Sequence, residues 1–212
     1  MIDFRKNMQQ KNKIRKDFSA IVLAAGNSLR MGFPKPFLKY NAKQTFIEHI
    51  IDEYGKFGCK EIVVVANAQN YQIPRTVYSD KVKVIINKHP EWHRFYSLKI
   101  GALALDLKTM VFVQNVDNPF VNPQVLTALL QKIKEDDYIY PGFQSRGGHP
   151  FLLSEKILEN IIARKENQVH LKEFLNQFPR KKVETNDARI LVNINTLNDY
   201  ERYINWAEDK DE

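Results

Sequence analysis

From residue 18 onward, short runs of apolar and β-branched residues alternate with longer stretches in which apolar residues recur every three or four positions. No other feature restricts the fold so strongly. Phe18–Ala24, Glu61–Ala66 and Met110–Val116 are strand-length runs, mostly apolar throughout, as expected of strands covered on both faces, and Lys81–Ile86 is an alternating run. Between them, Thr45–Phe57 places Ile47, Ile50, Ile51 and Tyr54 on one helical face, and Thr45 and Glu48 have the spacing of a capping box. Ser97–Leu107 reads as a second helix. Asn122 and Pro123 supply an N-cap and a first-turn proline for a third, which carries Val125, Leu126, Leu129, Leu130 and Ile133 at helical spacing. Strands joined through helices form a parallel sheet with helices on both faces, so the expectation is an α/β fold.

The second half is less regular. Asp137–Tyr140 and Pro150–Leu153 look like two short strands around a glycine loop, which breaks the alternation and predicts an antiparallel element in a mixed sheet. Ser154–Ala163 and His170–Phe178 read as helical, and Val183–Glu184 and Arg189–Asn193 as extended. Thr196 caps a last helix running through Trp206. There is no internal repeat, low-complexity tract or linker. Residues 18–212 are expected to be one domain, preceded by a polar, basic extension over residues 1–17.

Composition narrows the classes of function. No apolar run in the 212 residues approaches the ~20 residues of a membrane helix. No apolar segment of a secretory signal is visible at the N-terminus. The lone Cys59 cannot form an intramolecular disulfide and is expected to be a buried spectator, so a cytoplasmic location is expected. The net charge of +7 includes clusters at Arg5–Lys16 and Arg180–Lys182. Such charge suits either nucleic acid or a basic cleft for a polyanionic small molecule. No arginine-and-aromatic stripe of the kind that binds single strands follows the first cluster, so nucleic acid is the less favoured partner.

The chemistry concentrates in the loop that leaves the first strand, Leu23-Ala24-Ala25-Gly26-Asn27-Ser28-Leu29-Arg30-Met31-Gly32-Phe33-Pro34-Lys35. An open α/β sheet binds its ligand beyond the carboxyl ends of its strands. Small residues there let successive N–H groups approach anionic oxygens. Arg30 can fork onto phosphate and Lys35 can add a point charge. Neither G-x-G-x-x-G nor G-K-[ST] is present, so the loop is neither a dinucleotide fingerprint nor a Walker loop. Its spacing alone suits a phosphate cradle or an ordinary turn equally well.

Leu23 to Lys35 resembles the signature L-A-A-G-x-S-x-R-M-G-x-x-K of the nucleotidyltransferase superfamily, and within it the MobA-like guanylyl- and cytidylyltransferase branch. All fixed positions match. Further matches come in the family's order. Asn87-Lys88-His89-Pro90-Glu91-Trp92-His93-Arg94-Phe95-Tyr96-Ser97-Leu98 is similar to N-P-x-W-x-x-G-x-x-x-S-L, with one extra residue before Trp92 and without the middle glycine. Asp117-Asn118-Pro119 stands for D-Q-P, and Arg146-Gly147-Gly148-His149-Pro150 for R-G-H-P with one extra glycine. Asn193-Ile194-Asn195-Thr196-Leu197-Asn198-Asp199 resembles N-I-N-T-P-E-D, with Leu197 in place of proline. The resemblance covers residues 19–207.

It implies a three-layer, Rossmann-like nucleotidyltransferase fold of the nucleotide-diphospho-sugar transferase kind. It also implies Mg²⁺-dependent transfer of a nucleoside monophosphate from CTP or GTP to a small phosphorylated acceptor, with pyrophosphate leaving. Leu23, Ala24, Ala25, Gly26, Asn27, Ser28, Arg30, Lys35, Ala66, Asn87 and Ser97 are the implied nucleotide-binding positions, with Arg30, Lys35 and Asp117 catalytic. Asp117 holds the metal together with Asn193 or Asn195, and expected strand alternation puts both asparagines on one face. Gly148 and His149 are implied to meet the acceptor, although such a loop can equally be a turn with a tethered histidine. Ser97 can contact nucleotide, cap its helix, or do both. Trp92, Phe95 and Tyr96 can stack on a base or a pterin-like ring, or pack in the core.

Other readings stand beside this one. A nucleotide-sugar glycosyltransferase would carry a D-x-D pair, which Asn115-Val116-Asp117 does not supply. Sugar-phosphate and alcohol-phosphate cytidylyltransferases share the first loop, but the proline-bearing segments that follow it in the longer sugar-phosphate enzymes are missing. The acidic glycine-bearing segment of many cytidylyl members is not visible around Lys165–Leu171. A non-catalytic nucleotide-binding relative would also fit the asparagines at 193 and 195.

Overall fold

The computed structural model describes residues 17–28, 30–71, 80–106, 109–134 and 138–208. The basic extension over residues 1–16 lies outside the described residues, as do Leu29, Leu107 and Asp137. Strands β1 (Phe18–Ala24), β2 (Ile62–Ala66), β3 (Val82–Ile86) and β4 (Met110–Asn115) are parallel and lie in the order β3-β2-β1-β4. Strand β7 (Phe151–Leu153) adds to β4 antiparallel, and β5 (Tyr138–Phe143) adds to β7 in the same way. The short β6 (Arg146–Gly147) folds back on β5 through Gln144 and Ser145, both at positive φ, and β8 (Arg180–Glu184) runs parallel to β5 on its far side. The mostly parallel mixed sheet is therefore present, with its antiparallel element where the alternation broke. Arg180, Lys181 and Lys182 belong to the border strand β8, which begins three residues before the expected Val183.

The chain leaves β1 toward β2 on one side and returns at β4 on the other. The carboxyl ends of β1 and β4 thus flank the point where strand order reverses, which is where such sheets open a crevice. Register places Leu23 beside both Val65 and Asn115.

The pleat sends successive residues of β1 to opposite layers. Ala20, Val22 and Ala24 pack with Phe46, Ile47 and Ile50 of helix α1 (Phe46–Phe57) and with Leu126 and Leu129 of α3 (Pro123–Lys132). Ile21 and Leu23 face Phe95 and Leu98 of α2 (His93–Leu103), Ile157 and Ile161 of α4 (Glu155–Ala163), and Phe174 of α5 (Leu171–Leu175). The last helix, α6 (Leu197–Glu208), joins the first layer through Tyr203. The five buried side chains of α1 each contribute about 2 kcal/mol by leaving water. The expected capping box forms, with the Thr45 N–H donating to Glu48 Oε2 at 2.7 Å, and Gly58 at φ +100° ends the helix. A Cβ at Gly101 would come within 2.8 Å of Ile21 and 2.9 Å of Val65, so only glycine lets α2 lie this close to β1 and β2. Cys59 is fully buried, and burial pushes its thiol up to about 12, in keeping with a spectator role.

Two expectations are corrected. Helix α2 starts at His93, after a 3₁₀ turn over Pro90–Trp92, so Ser97 lies inside it and caps nothing. Residues 189–193 form no strand. Asp187 accepts from the Arg189 N–H and pairs with its guanidinium at 2.8 Å, which closes a 3₁₀ turn over Ala188–Leu191. Asn193 and Asn195 therefore lie in an irregular segment, and strand alternation does not apply to them.

His49, on α1, stacks flat on Tyr40 with ring centroids 3.5 Å apart, and burial pushes its imidazole from 6.5 down to about 4. An unfolded chain would take up that proton as pH drops below about 6.5. This contribution to stability is complete above pH 6.5 and declines toward pH 4. Denaturation midpoints measured across that interval should show His49→Gln with a shallower acid loss than the parent protein. An identical slope would locate the effect elsewhere.

Candidate active site

The loop after β1 is shaped by side chains that sequence inspection passed over. Asn67 donates to the Ala25 and Gly26 carbonyls at 3.3 Å, and Asn70 donates to the Ala24 and Gly26 carbonyls at 3.3 and 3.4 Å. In a trans peptide the N–H opposes the C=O, so the N–H groups of Ala25, Gly26 and Asn27 point to the side away from these asparagines. Asn67 also reaches Asn27 Oδ1 at 3.5 Å. Ser28 at φ +50° and Gly32 at φ +69° turn the chain, with the Met31 and Gly32 N–H groups both on the Ser28 carbonyl. Lys35 N–H then donates to Ser28 Oγ at 3.4 Å.

This loop walls a cleft of about 240 Å³, completed by Lys35, by Arg94 and Ser97 of α2, and by Asn115–Asp117 at the end of β4. Lys35 Nζ donates to Asn195 Oδ1 at 2.7 Å and stands 3.6 Å from Asp117 Oδ2. Burial lowers the Lys35 pKa from its ordinary value, against the pull of Asp117. The other Asp117 oxygen, Oδ1, is buried and has no hydrogen-bond partner among the described residues. Among the described residues no group of three His, Cys, Asp or Glu converges, so the oxygens facing a cation here are those of Asp117 and Asn195. An oxygen-only set with an orphaned carboxylate atom suits a hard divalent ion that takes its remaining ligands from phosphate and water.

The C-terminal segment is held to this point by Asn118. Its buried amide donates to the carbonyls of Arg189 (3.1 Å), Ile190 (3.2 Å) and Val192 (2.6 Å), while the Ile194 N–H donates to the Asp117 carbonyl at 2.7 Å. Asp199 accepts from the Asn195 and Thr196 N–H groups and fixes the start of α6. Asn195 is thereby brought to Lys35, whereas Asn193 is exposed and offers the site no side-chain contact.

The other positions fall around this centre. Ser97 is buried in the cleft wall and accepts from Asn87 Nδ2 at 2.9 Å, and the Asn87 N–H donates to the Ala66 carbonyl at 2.7 Å. Asn87 and Ala66 thus brace the cleft from behind without lining it. Arg30 is exposed outside the cleft, near enough for its charge to act on Lys35. Phe95 is core, packed on Phe174, while Trp92 is stacked on His89 at 4.0 Å and edged by Tyr96. His149 Nε2 lies 3.0 Å from the Asn115 amide nitrogen, its Nδ1 is buried without a partner, and burial pushes the ring down to about 4, so it is neutral near pH 7. Gly148 is required beside it, because a Cβ there would meet the Ile190 carbonyl oxygen at 2.3 Å.

The missing middle glycine has a structural counterpart. Counted back from Ser97, that position is His93, with φ +61° and ψ −166°, a conformation otherwise reserved for glycine. The backbone keeps the glycine shape and the histidine bears the strain.

Comparison with known proteins agrees with this geometry. The model of the MobA-like NTP transferase domain matches residues 20–183. A probable molybdenum cofactor guanylyltransferase of Methanosarcina mazei is 28% identical over 227 aligned positions, covering 97% of this chain and 98% of that protein. A 2-C-methyl-D-erythritol 4-phosphate cytidylyltransferase of Thermosipho africanus is 28% identical over 122 positions, covering 54% of this chain and 53% of that one. A nucleotidyl transferase structure from Methanothermobacter thermautotroptrophicus superposes with a TM-score of 0.74 at 21% identity, over 92% of this chain and 99% of that one. The fold is that of the nucleotidyltransferases.

Two substitutions check the framework. Asn118→Asp would set a buried carboxylate against three carbonyl oxygens and should cost about 3 kcal/mol in urea unfolding. His93→Gly should gain about 1 kcal/mol in the same measurement by releasing strain, whereas His93→Ala should not. Equal stability of these two His93 variants would show that the backbone there is unstrained.

Proposed function

The chain belongs to the MobA-like NTP transferase family and is thus a nucleotidyltransferase, and from that premise we propose that it uses Mg²⁺ to move a nucleoside monophosphate from GTP or CTP onto a small phosphorylated acceptor. The observation that carries the metal assignment is the meeting of Lys35, Asp117 and Asn195 at the mouth of the β1 loop, with one Asp117 oxygen buried and unmatched. Of the two asparagines, Asn195 is the one in place to join Asp117.

In this reading the N–H groups of Ala25, Gly26 and Asn27 and the Lys35 ammonium receive the triphosphate. Arg30 swings in from outside the cleft to balance charge on the departing pyrophosphate. Mg²⁺ on Asp117 and Asn195, when bound, supplies neutralisation of the phosphate oxygens. An acceptor phosphate oxygen bonds to the α-phosphorus in line with the bridging oxygen, whose bond to that phosphorus breaks as pyrophosphate leaves. No side chain becomes covalently attached, so positioning and charge balance carry the rate. Ser97, locked by Asn87, holds the nucleotide wall rather than a helix end. Gly148 and His149 face the acceptor, with the neutral ring able to form a hydrogen bond without adding charge.

Among the described residues no helix is long and apolar enough to cross a membrane. A cytoplasmic single-domain enzyme built on residues 18–212 is the setting in which we place this chemistry.

Asp117→Asn should leave circular dichroism and melting temperature unchanged while turnover, read as pyrophosphate release, falls by about a hundredfold or more. Retained turnover at saturating Mg²⁺ would remove Asp117 from the centre. Thermal-shift titration with GTP, CTP, UTP and ATP, each with and without Mg²⁺, should show stabilisation by GTP or CTP that depends on the metal. A shift with no nucleotide under any metal condition would sink the proposal.

A further inference from the structure

Among the described residues that line the nucleotide cleft, Asp117 is the only acid, and a lysine already sits on it. Asp117 Oδ2 stands 3.6 Å from Lys35 Nζ, and the same ammonium donates to Asn195 Oδ1 at 2.7 Å. Lys35 therefore holds, with a single positive charge, the two side chains assigned to the divalent ion. The contact is withdrawn from water, since the side chains of Lys35 and Asp117 are 13% and 26% exposed, so it is weakened less by solvent than a surface ion pair.

Both ends of the contact are pinned through their backbone. The Lys35 N–H donates to Ser28 Oγ at 3.4 Å, and the Lys35 carbonyl accepts from the Leu38 N–H at 3.1 Å. The Asn195 N–H donates to Asp199 Oδ2 at 3.0 Å. Helix α6, which starts there, reaches back to the segment after Lys35. Its Tyr200 and Tyr203 hydroxyls donate to the Lys39 and Tyr40 carbonyls at 3.1 and 2.8 Å. The freedom left at this point is in the flexible stem of the lysine, which can swing the ammonium while the backbone stays in place.

Resting on the metal assignment above, we propose that Lys35 is the resident counter-ion of the Asp117–Asn195 pair and yields that pair only to a metal that arrives with a nucleotide. An ammonium and a divalent ion on one amide oxygen would lie close enough to repel strongly, so each excludes the other. To make way for metal alone, Lys35 would have to leave its carboxylate, and no second carboxylate lines the cleft among the described residues. A nucleotide removes this obstacle, because its phosphate oxygens offer the ammonium a new anion beside the old one. The exchange replaces one ionic contact with another and makes or breaks no covalent bond. Metal and nucleotide thus bind with positive coupling, and Lys35 is the side chain that sets it.

The test titrates Mn²⁺, a paramagnetic stand-in for Mg²⁺, into the full-length protein without nucleotide, and reads the loss of the free-ion electron paramagnetic resonance signal. Lys35→Met and Lys35→Gln remove the charge, and the second keeps a donor for Asn195. Each should bind Mn²⁺ about tenfold or more tightly than the parent. Lys35→Arg keeps the charge and should bind as weakly as the parent. Adding Asp117→Asn to Lys35→Met should abolish the gain. The proposal is overturned if neither neutral variant gains affinity, if the arginine variant gains as much, or if the gain survives the loss of Asp117. Stabilisation of the parent by GTP or CTP with Mg²⁺ is read in a separate thermal-shift arm. A parent that responds there, with neutral variants that gain nothing, refutes the role of Lys35 and keeps the transferase reading. A parent that binds no nucleotide refutes the transferase reading itself.

Discussion

The site depends on one buried amide. Asn118, immediately after the strand-end aspartate, gathers three carbonyls of residues 189–192 and ties the C-terminal segment to the centre of the sheet. Together with the Ile194 N–H on the Asp117 carbonyl, that tie brings Asn195 to Lys35 across 160 positions of sequence. The sheet supplies direction, because β1 and β4 both point their carboxyl ends at the crevice. Asn118 supplies closure. A neutral amide suits this task, since its N–H₂ can serve several carbonyls without the desolvation cost of a charged donor.

The parts of the molecule that read plainly from sequence are those governed by neighbours along the chain. Strand β1 and helix α1 fall where periodicity and the Thr45/Glu48 pair put them, because burial on both faces and reciprocal capping are local signals. The β1 loop is legible for the same reason, since its small residues and cations are consecutive. The misread elements share a different cause. Residues 189–193 look extended by composition, yet Asp187 bends them through a contact two residues away and Asn118 then holds them from a distance. Helix α2 starts early because His93 accepts a glycine conformation, which no helix propensity would suggest.

The site residues that escaped sequence reading are long-range partners. Asn67 and Asn70 act on carbonyls more than forty positions earlier. Asparagines after a strand look like ordinary turn residues, so only the folded loop reveals that they aim its N–H groups. Asn193 and Asn195 occur in one motif, and tertiary placement alone shows that Asn195 is the one beside Lys35. Arg94 is similar, since a cation in the first turn of a helix gains meaning only once it is seen to line the cleft.

The borders of the sheet carry a further consequence. On one side β3 presents Lys83, clasped by Glu61 and Asp106, and on the other β8 presents Arg180, Lys181 and Lys182 in succession. A second copy trying to extend the sheet edge to edge would bring like charges together and would have to break the Lys83 clasp. The charges on both borders work against strand addition.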